Sequence, residues 1–310
     1  MTVSETTPPA SGEFNVVHLE LLYFWSTESH RSFMVSSAAP LVYADTCIRQ
    51  GLRHPFLMQQ ILATSALHLS IERPSQKTFY RHHATQLQAT ALAEFKTILQ
   101  KLDESNIVSA FLFSSLVGLH VFCDTFSSGE TDFNQVLDSL ISCINLLRGV
   151  RSIIGGWWTY LLTTELSPIL TVAADKRQAG EDNPYPLRDL ADLIAEADIG
   201  AASREAYQET LKELERGFAD QVQLSADEGA TTANMIFAWL VIVPKEYVEL
   251  LSQRRPEALI ILSHYAVLLH YRRHFWAIGD SGKFLVEGIT SHLGKHWEKW
   301  LTWPKSIAVV

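Results

Sequence analysis

The chain has 310 residues, 47% of them hydrophobic and 19% charged, a balance that fits a globular protein with a large core, as one large domain or two small ones. Its net charge of −9 argues against a freestanding nucleic-acid binder, because phosphate neutralisation needs clustered Lys and Arg. Charge is uneven: residues 175–230 carry fourteen acidic and six basic side chains, whereas residues 250–310 carry eight basic and four acidic. The basic end is interleaved with Phe275, Trp276, Trp297 and Trp300, and a solvated face on an apolar helix explains it better than nucleic-acid contact does.

In chain order, MTVSETTPPASGEF has neither a basic start nor an apolar core, so it is no secretory signal, and residues 1–13 read as a disordered lead. A first helix is predicted from Phe14 to Phe33, with Leu19, Leu22 and Trp25 at i, i+3, i+6. Pro55 opens a second, PFLMQQILATSALHLSI, which stops near Pro74, since proline at the first helical position loses no needed hydrogen bond. Ser75 starts an amphipathic stretch with Phe79, His83, Leu87, Ala91, Phe95 and Leu99 about four apart.

Ser105 to Cys123 then runs nineteen residues without a fixed charge, close to bilayer-spanning length. It contains Asn106, Ser109, Ser114, Ser115 and His120, has acidic residues near both ends, and lacks a basic flank. With a mean hydropathy of only +0.06 for the chain, it reads as a buried helix and not a membrane span, capped by Asp103 or Ser105. Further helices are predicted over Val136–Ile154 and Trp157–Ala174, with the pair Gly155-Gly156 as a tight turn between them. AADKRQAGEDNPYP is a clear loop, followed by acidic helices over Leu187–Phe218.

The last strong signal is PEALIILSHYAVLLHYRRHFW, from Pro256 to Trp276. No fixed charge stands between Glu257 and Arg272. A helix with one wet face shows a polar stripe; this one is apolar almost all round, so other helices must surround it. Period-2 strand patterns with Asn-Gly turns are missing. The fold class expected is all-α: one large helical domain over 14–304, with an acidic excursion at about 175–230, a buried apolar pocket, and a tail at 305–310.

Cys47, Cys123 and Cys143 are widely spaced in apolar runs, which suits buried thiols in a reducing intracellular compartment, nucleus or cytoplasm. The pairs His270/His274 and His292/His296 have i, i+4 spacing, but no third ligand or HExxH accompanies them, so no metal and no cofactor are expected. His120 and Asp124 are likewise i, i+4. A carboxylate that close can orient an imidazole for proton transfer, and a buried helix end satisfying its own polar groups is the preferred explanation. Glu165 lies in an apolar run where desolvation would raise its pKa, though an exposed amphipathic face is preferred there too. GxSxG, phosphate-loop and GxGxxG signatures are absent.

Several stretches together resemble one family: HLELLYFW, HPFLMQQILATSALHLS, Tyr80 with HHATQLQATAL, LLRGVRSII, PEALIILSHYAVLLH and WEKWLTWP, in that order. They are similar to the C-terminal regulatory domain of fungal zinc-cluster transcription factors, in the sterol uptake control branch. The resemblance covers about Phe14 to Pro304. It implies an all-helical domain, often a homodimer, whose apolar pocket binds a sterol- or terpenoid-like small molecule and whose ligand state controls transcription. Two departures stand out. The six-cysteine zinc module has no room beside three scattered Cys and fourteen leading residues, so no direct contact with nucleic acid is expected. The family also tends to read Trp-Pro where this chain has Trp239-Leu240.

The expected ligand-binding residues are Phe113, Leu116, His120, Trp239, Ser263, His264, Tyr265, Leu269 and Trp276, with Ser263, His264 or Tyr265 receiving a ligand hydroxyl. For each position, simple core filling is the competing explanation. A second functional reading is a stand-alone enzyme that reuses the pocket to cyclise or isomerise a hydrophobic precursor, with His120, Asp124, Glu165 and Tyr265 as catalytic candidates. The Met start and an end just past the terminal Trp-Pro fit that reading. A third is a scaffold or dimerisation partner without a ligand.

Overall fold

A computed structural model describes residues 15–29, 40–168, 170, 187–226 and 233–309. All regular structure among them is helical, as the sequence predicts. Helix α1 (Val16–Thr27) starts where Asn15 accepts a hydrogen bond from the His18 amide, and residues 30–39 lie outside the described part. Helix α2 (Pro40–Arg53) is not among the helices predicted from the sequence. Helix α3 (Pro55–Glu72) opens at its proline as predicted and is buried at nearly every position from Phe56 to Ser70. It packs against α1, α2, α5 and, most extensively, α4 (Lys77–Ile98).

The buried stripe of α4 is Tyr80, Ala84, Leu87, Ala91 and Phe95. Its first two members differ from the predicted Phe79 and His83, and Phe79 is 46% exposed. Steps of three and then four back from Leu87 reach Ala84 and Tyr80, which keeps the stripe on one face of a 3.6-residue helix. The Tyr80 hydroxyl is also held, donating to Glu20 Oε1 at 3.1 Å and accepting from Arg73 Nη1 at 2.6 Å.

Helix α5 (Ile107–Ser127) is long and apolar enough to cross a membrane, but 78% of that window is buried inside the protein, in keeping with a core helix. Neither predicted residue caps it. Asn106 holds the cap position, while Asp103 accepts from the Ser105 amide at 2.8 Å and closes a turn just before the helix. Helix α6 (Phe133–Ile154), capped by Asp132, covers α5. A single 3₁₀ turn over Gly155–Trp157 leads to α7 (Trp158–Leu161). The long helix predicted from Trp157 does not continue: Thr163 and Thr164 turn their hydroxyls onto the carbonyls of Tyr160 and Leu161, each at 2.7 Å. Such short side chains offer the backbone an alternative to the helical ladder. Residues 171–174 lie outside the described part.

The second half contains α8 (Arg188–Glu196), α9 (Ala201–Ala226), α10 (Ala233–Ile242), α11 (Lys245–Ser252), α12 (Pro256–Tyr271), α13 (Ser281–Leu293) and α14 (Glu298–Ala308). Helix α12 ends at Tyr271, five residues before the predicted Trp276, and turns follow. It is buried at every position from Glu257 to Leu269, with α13, α14, α9, α11 and α8 around it. Gly282 on α13 lets the two backbones meet, since a Cβ there would lie 2.4 Å from the Ala266 carbonyl oxygen. One continuous apolar core joins the helices around α3 to those around α12, through α5, α6 and α10.

Candidate functional site

The predicted lining residues are buried, except Trp276, which is half-buried, and they do not form one wall. Phe113 on α5 packs its ring against Phe95 at 4.2 Å and Phe56 at 5.3 Å, and Leu116 is fully buried one turn on. Tyr265 on α12 stacks on Trp239 of α10 at 4.2 Å, and its hydroxyl donates to the Ile236 carbonyl at 3.2 Å. Ser263 and His264 turn back onto their own helix, where both donate to the Ile260 carbonyl, at 2.6 and 2.9 Å. The His264 ring also stacks on Trp303, and Leu269 is fully buried. Trp276 lies elsewhere, stacked on His68 of α3 at 4.3 Å with the rings within 10° of parallel.

His120 is buried beside Gln60, whose Nε2 stands 3.4 Å from His120 Nδ1. Its Nε2 is 3.7 Å from Asp124 Oδ2, longer than a hydrogen bond. Asp124 instead accepts from Arg81 Nη2 at 2.6 Å. Burial, aided by the Arg81 charge, pulls His120 down to about 3, so its imidazole is neutral near pH 7. Burial pushes the Asp124 carboxyl up while Arg81 holds it back. The α5 end is therefore held from α4, where Arg81 also reaches the Ser127 hydroxyl at 3.0 Å, and not by a bond between His120 and Asp124. His264 and His68 are also neutral, drawn by burial to about 4 and about 3. Tyr265 is raised well above its ordinary value, first by burial and then by Cys143 and Tyr247. Of the four catalytic candidates, His120 and Asp124 meet, and Tyr265 and Glu165 each stand elsewhere.

Glu165 is exposed, not desolvated. It borders an open cleft of about 560 Å³ walled by the end of α2 (Gln50, Arg53), His54, the lead into α5 (Glu104, Ser105) and the turn from Tyr160 to Glu165. Gln50 Nε2 donates to Glu165 Oε1 at 2.9 Å and ties two of these walls together. A smaller cleft of about 400 Å³ lies between Phe133 and Phe284. Neither cleft includes any of the predicted ligand-binding residues.

Cys47, Cys123 and Cys143 are free and buried. Among the described residues no group of three or more His, Cys, Asp or Glu is placed to hold a metal. The first cleft was missed in the sequence because Gln50, Arg53 and Tyr160 belong to no spaced motif; the His54-Pro55 junction was its one local signal.

No protein-family model matches the chain. It is 23% identical to a Zn(2)-C6 fungal-type transcription factor of Gibberella zeae, over an alignment that takes in all of this chain. The similarity is to a transcription factor. It runs the length of the helical domain, and the chain spans 65% of that relative's own length.

Proposed function

We propose that this chain is a transcription-regulatory domain of a fungal zinc-cluster type, switched by an apolar, sterol- or terpenoid-like small molecule in the nucleus. The observation that carries the regulatory part is the similarity to the Gibberella zeae transcription factor over the whole chain. DNA contact is not placed on these 310 residues, whose net charge of −9 opposes phosphate binding.

The ligand part is supported by Trp239. Its indole Nε1 is buried and has no acceptor among the described residues, although the ring is 3% exposed and stacked on Tyr265. A buried donor left unpaired costs about 1–3 kcal/mol. A hydroxyl or carbonyl on an otherwise apolar ligand, seated between α10 and α12, would satisfy it, while apolar burial at roughly 25 cal/mol per Å² supplies the affinity. Seating such a ligand requires α10 and α12 to part, and that movement is the proposed switch.

The test joins the chain to an unrelated DNA-binding domain in a yeast cell with a reporter gene. Sterol depletion should change reporter output several-fold, and Trp239→Phe should remove the response while the helical circular dichroism of the purified chain is unchanged. Constant output with and without sterol, together with no binding of a fluorescent sterol by the purified chain, overturns the ligand reading. Output at background in every condition overturns the regulatory one.

A further inference from the structure

The open cleft at the α2–α3 corner has a charge arrangement that the regulatory reading does not use. Its walls come from three separate stretches of chain, and its volume of about 560 Å³ falls in the range of small-molecule sites. Arg53 and Glu104 stand exposed on it, and neither forms an ion pair among the described residues. Glu165 has one carboxylate oxygen committed to Gln50, whose own side chain is buried. This amide fixes the carboxylate and leaves Oε2 for a ligand. Burial keeps His54 below its ordinary range, opposed by the Ser105 backbone and assisted by the Arg53 charge, so it adds no positive charge at neutral pH. Hydroxyls of Tyr160, Thr163 and Ser105 complete the walls.

One guanidinium and two carboxylates therefore face a shared hollow without neutralising one another. A simple anion meets two like charges there, a simple cation meets the guanidinium, and an apolar guest meets polar walls. A molecule with both charges satisfies all three groups at once. We propose that this cleft binds a small zwitterion of the amino-acid class, with its carboxylate on Arg53 and its ammonium between Glu104 and Glu165. A guanidinium can take a carboxylate through two parallel hydrogen bonds, which sets the orientation of the ligand. Gln50 acts as a positioning residue by holding Glu165. The site lies apart from Trp239 and stands whether or not the domain regulates transcription.

Isothermal titration of the purified chain against the standard L-amino acids, with deaminated acids and amino-acid methyl esters as one-charge analogues, tests this. At least one amino acid should bind with a Kd below about 1 mM, and its one-charge analogues at least about tenfold more weakly. Arg53→Gln and Glu165→Gln should each weaken binding at least about tenfold with an unchanged thermal midpoint, because both residues are exposed and Gln at 165 still accepts from Gln50. The proposal is overturned if no amino acid binds with a Kd below about 1 mM, if the one-charge analogues bind equally well, or if Arg53→Gln binds like the parent.

Discussion

Acid should weaken this fold through three histidines. His68, His120 and His264 are 7%, 1% and 2% exposed, and burial lowers them from 6.5 to about 3, about 3 and about 4. A histidine whose folded pKa lies below its unfolded value takes up its proton more readily in the unfolded chain, so protonation favours unfolding. The loss starts as pH falls through about 6.5 and is complete near the folded values. At pH 5 an unfolded histidine is almost fully charged and these three are not, which costs about 2 kcal/mol each, roughly 6 kcal/mol together. Asp124 works in the opposite sense, because its carboxyl is raised in the fold, and offsets part of the loss at lower pH. Urea unfolding followed by circular dichroism at pH 7 and pH 5 measures the difference. In His120→Gln the drop between the two pH values should shrink by about 2 kcal/mol, whatever the absolute stability of the variant. Equal drops in the parent and in each of His68→Gln, His120→Gln and His264→Gln would refute the reasoning.

Gly282→Ala should destabilise by about 1–3 kcal/mol, read as a lower urea midpoint at unchanged slope. Alanine gains about 1 kcal/mol of helix propensity, but its Cβ would stand 2.4 Å from Ala266 O and 2.6 Å from His270 N, backbone atoms that cannot swing aside. Gly118→Ala meets only a Leu147 methyl carbon and should be near neutral, so a Gly282→Ala chain as stable as the parent contradicts this packing. The three thiols should resist a thiol reagent in native buffer at pH 8, since burial pushes Cys123 and Cys143 to about 12 and Cys47 higher. Stoichiometric labelling within minutes would show that at least one is not enclosed.

The helices legible in the sequence were those whose apolar surface is continuous. Pro55 and Pro256 mark the starts of α3 and α12 because proline costs nothing at a first helical position, and both helices are buried on all sides. Helix α2 was missed. It is apolar on one side only, with Ala44, Cys47 and Gln50 buried and Asp45, Arg49 and Arg53 exposed opposite them. The Thr163-Thr164 pair looked helical only because hydropathy does not register a hydroxyl's reach to its own backbone. Burial of Ser263, His264, Tyr265 and Leu269 was readable from α12, but direction was not: Ser263 and His264 bond within their helix, and Trp276, beyond its end, pairs with His68, more than two hundred residues away in sequence. The polar cleft depends on such distant neighbours throughout.

Helix α5 has a consequence for how the chain is made. Its cover is partly α6, which comes later in the sequence. A ribosome therefore releases a stretch as greasy as a bilayer anchor while its cover is still incomplete, with α2 and α3 made and α6 not. During that interval the segment presents to the cell the same surface that a membrane-insertion signal does. Translation through residue 154 adds the α6 part of the cover, which the coiling of α5 alone cannot supply.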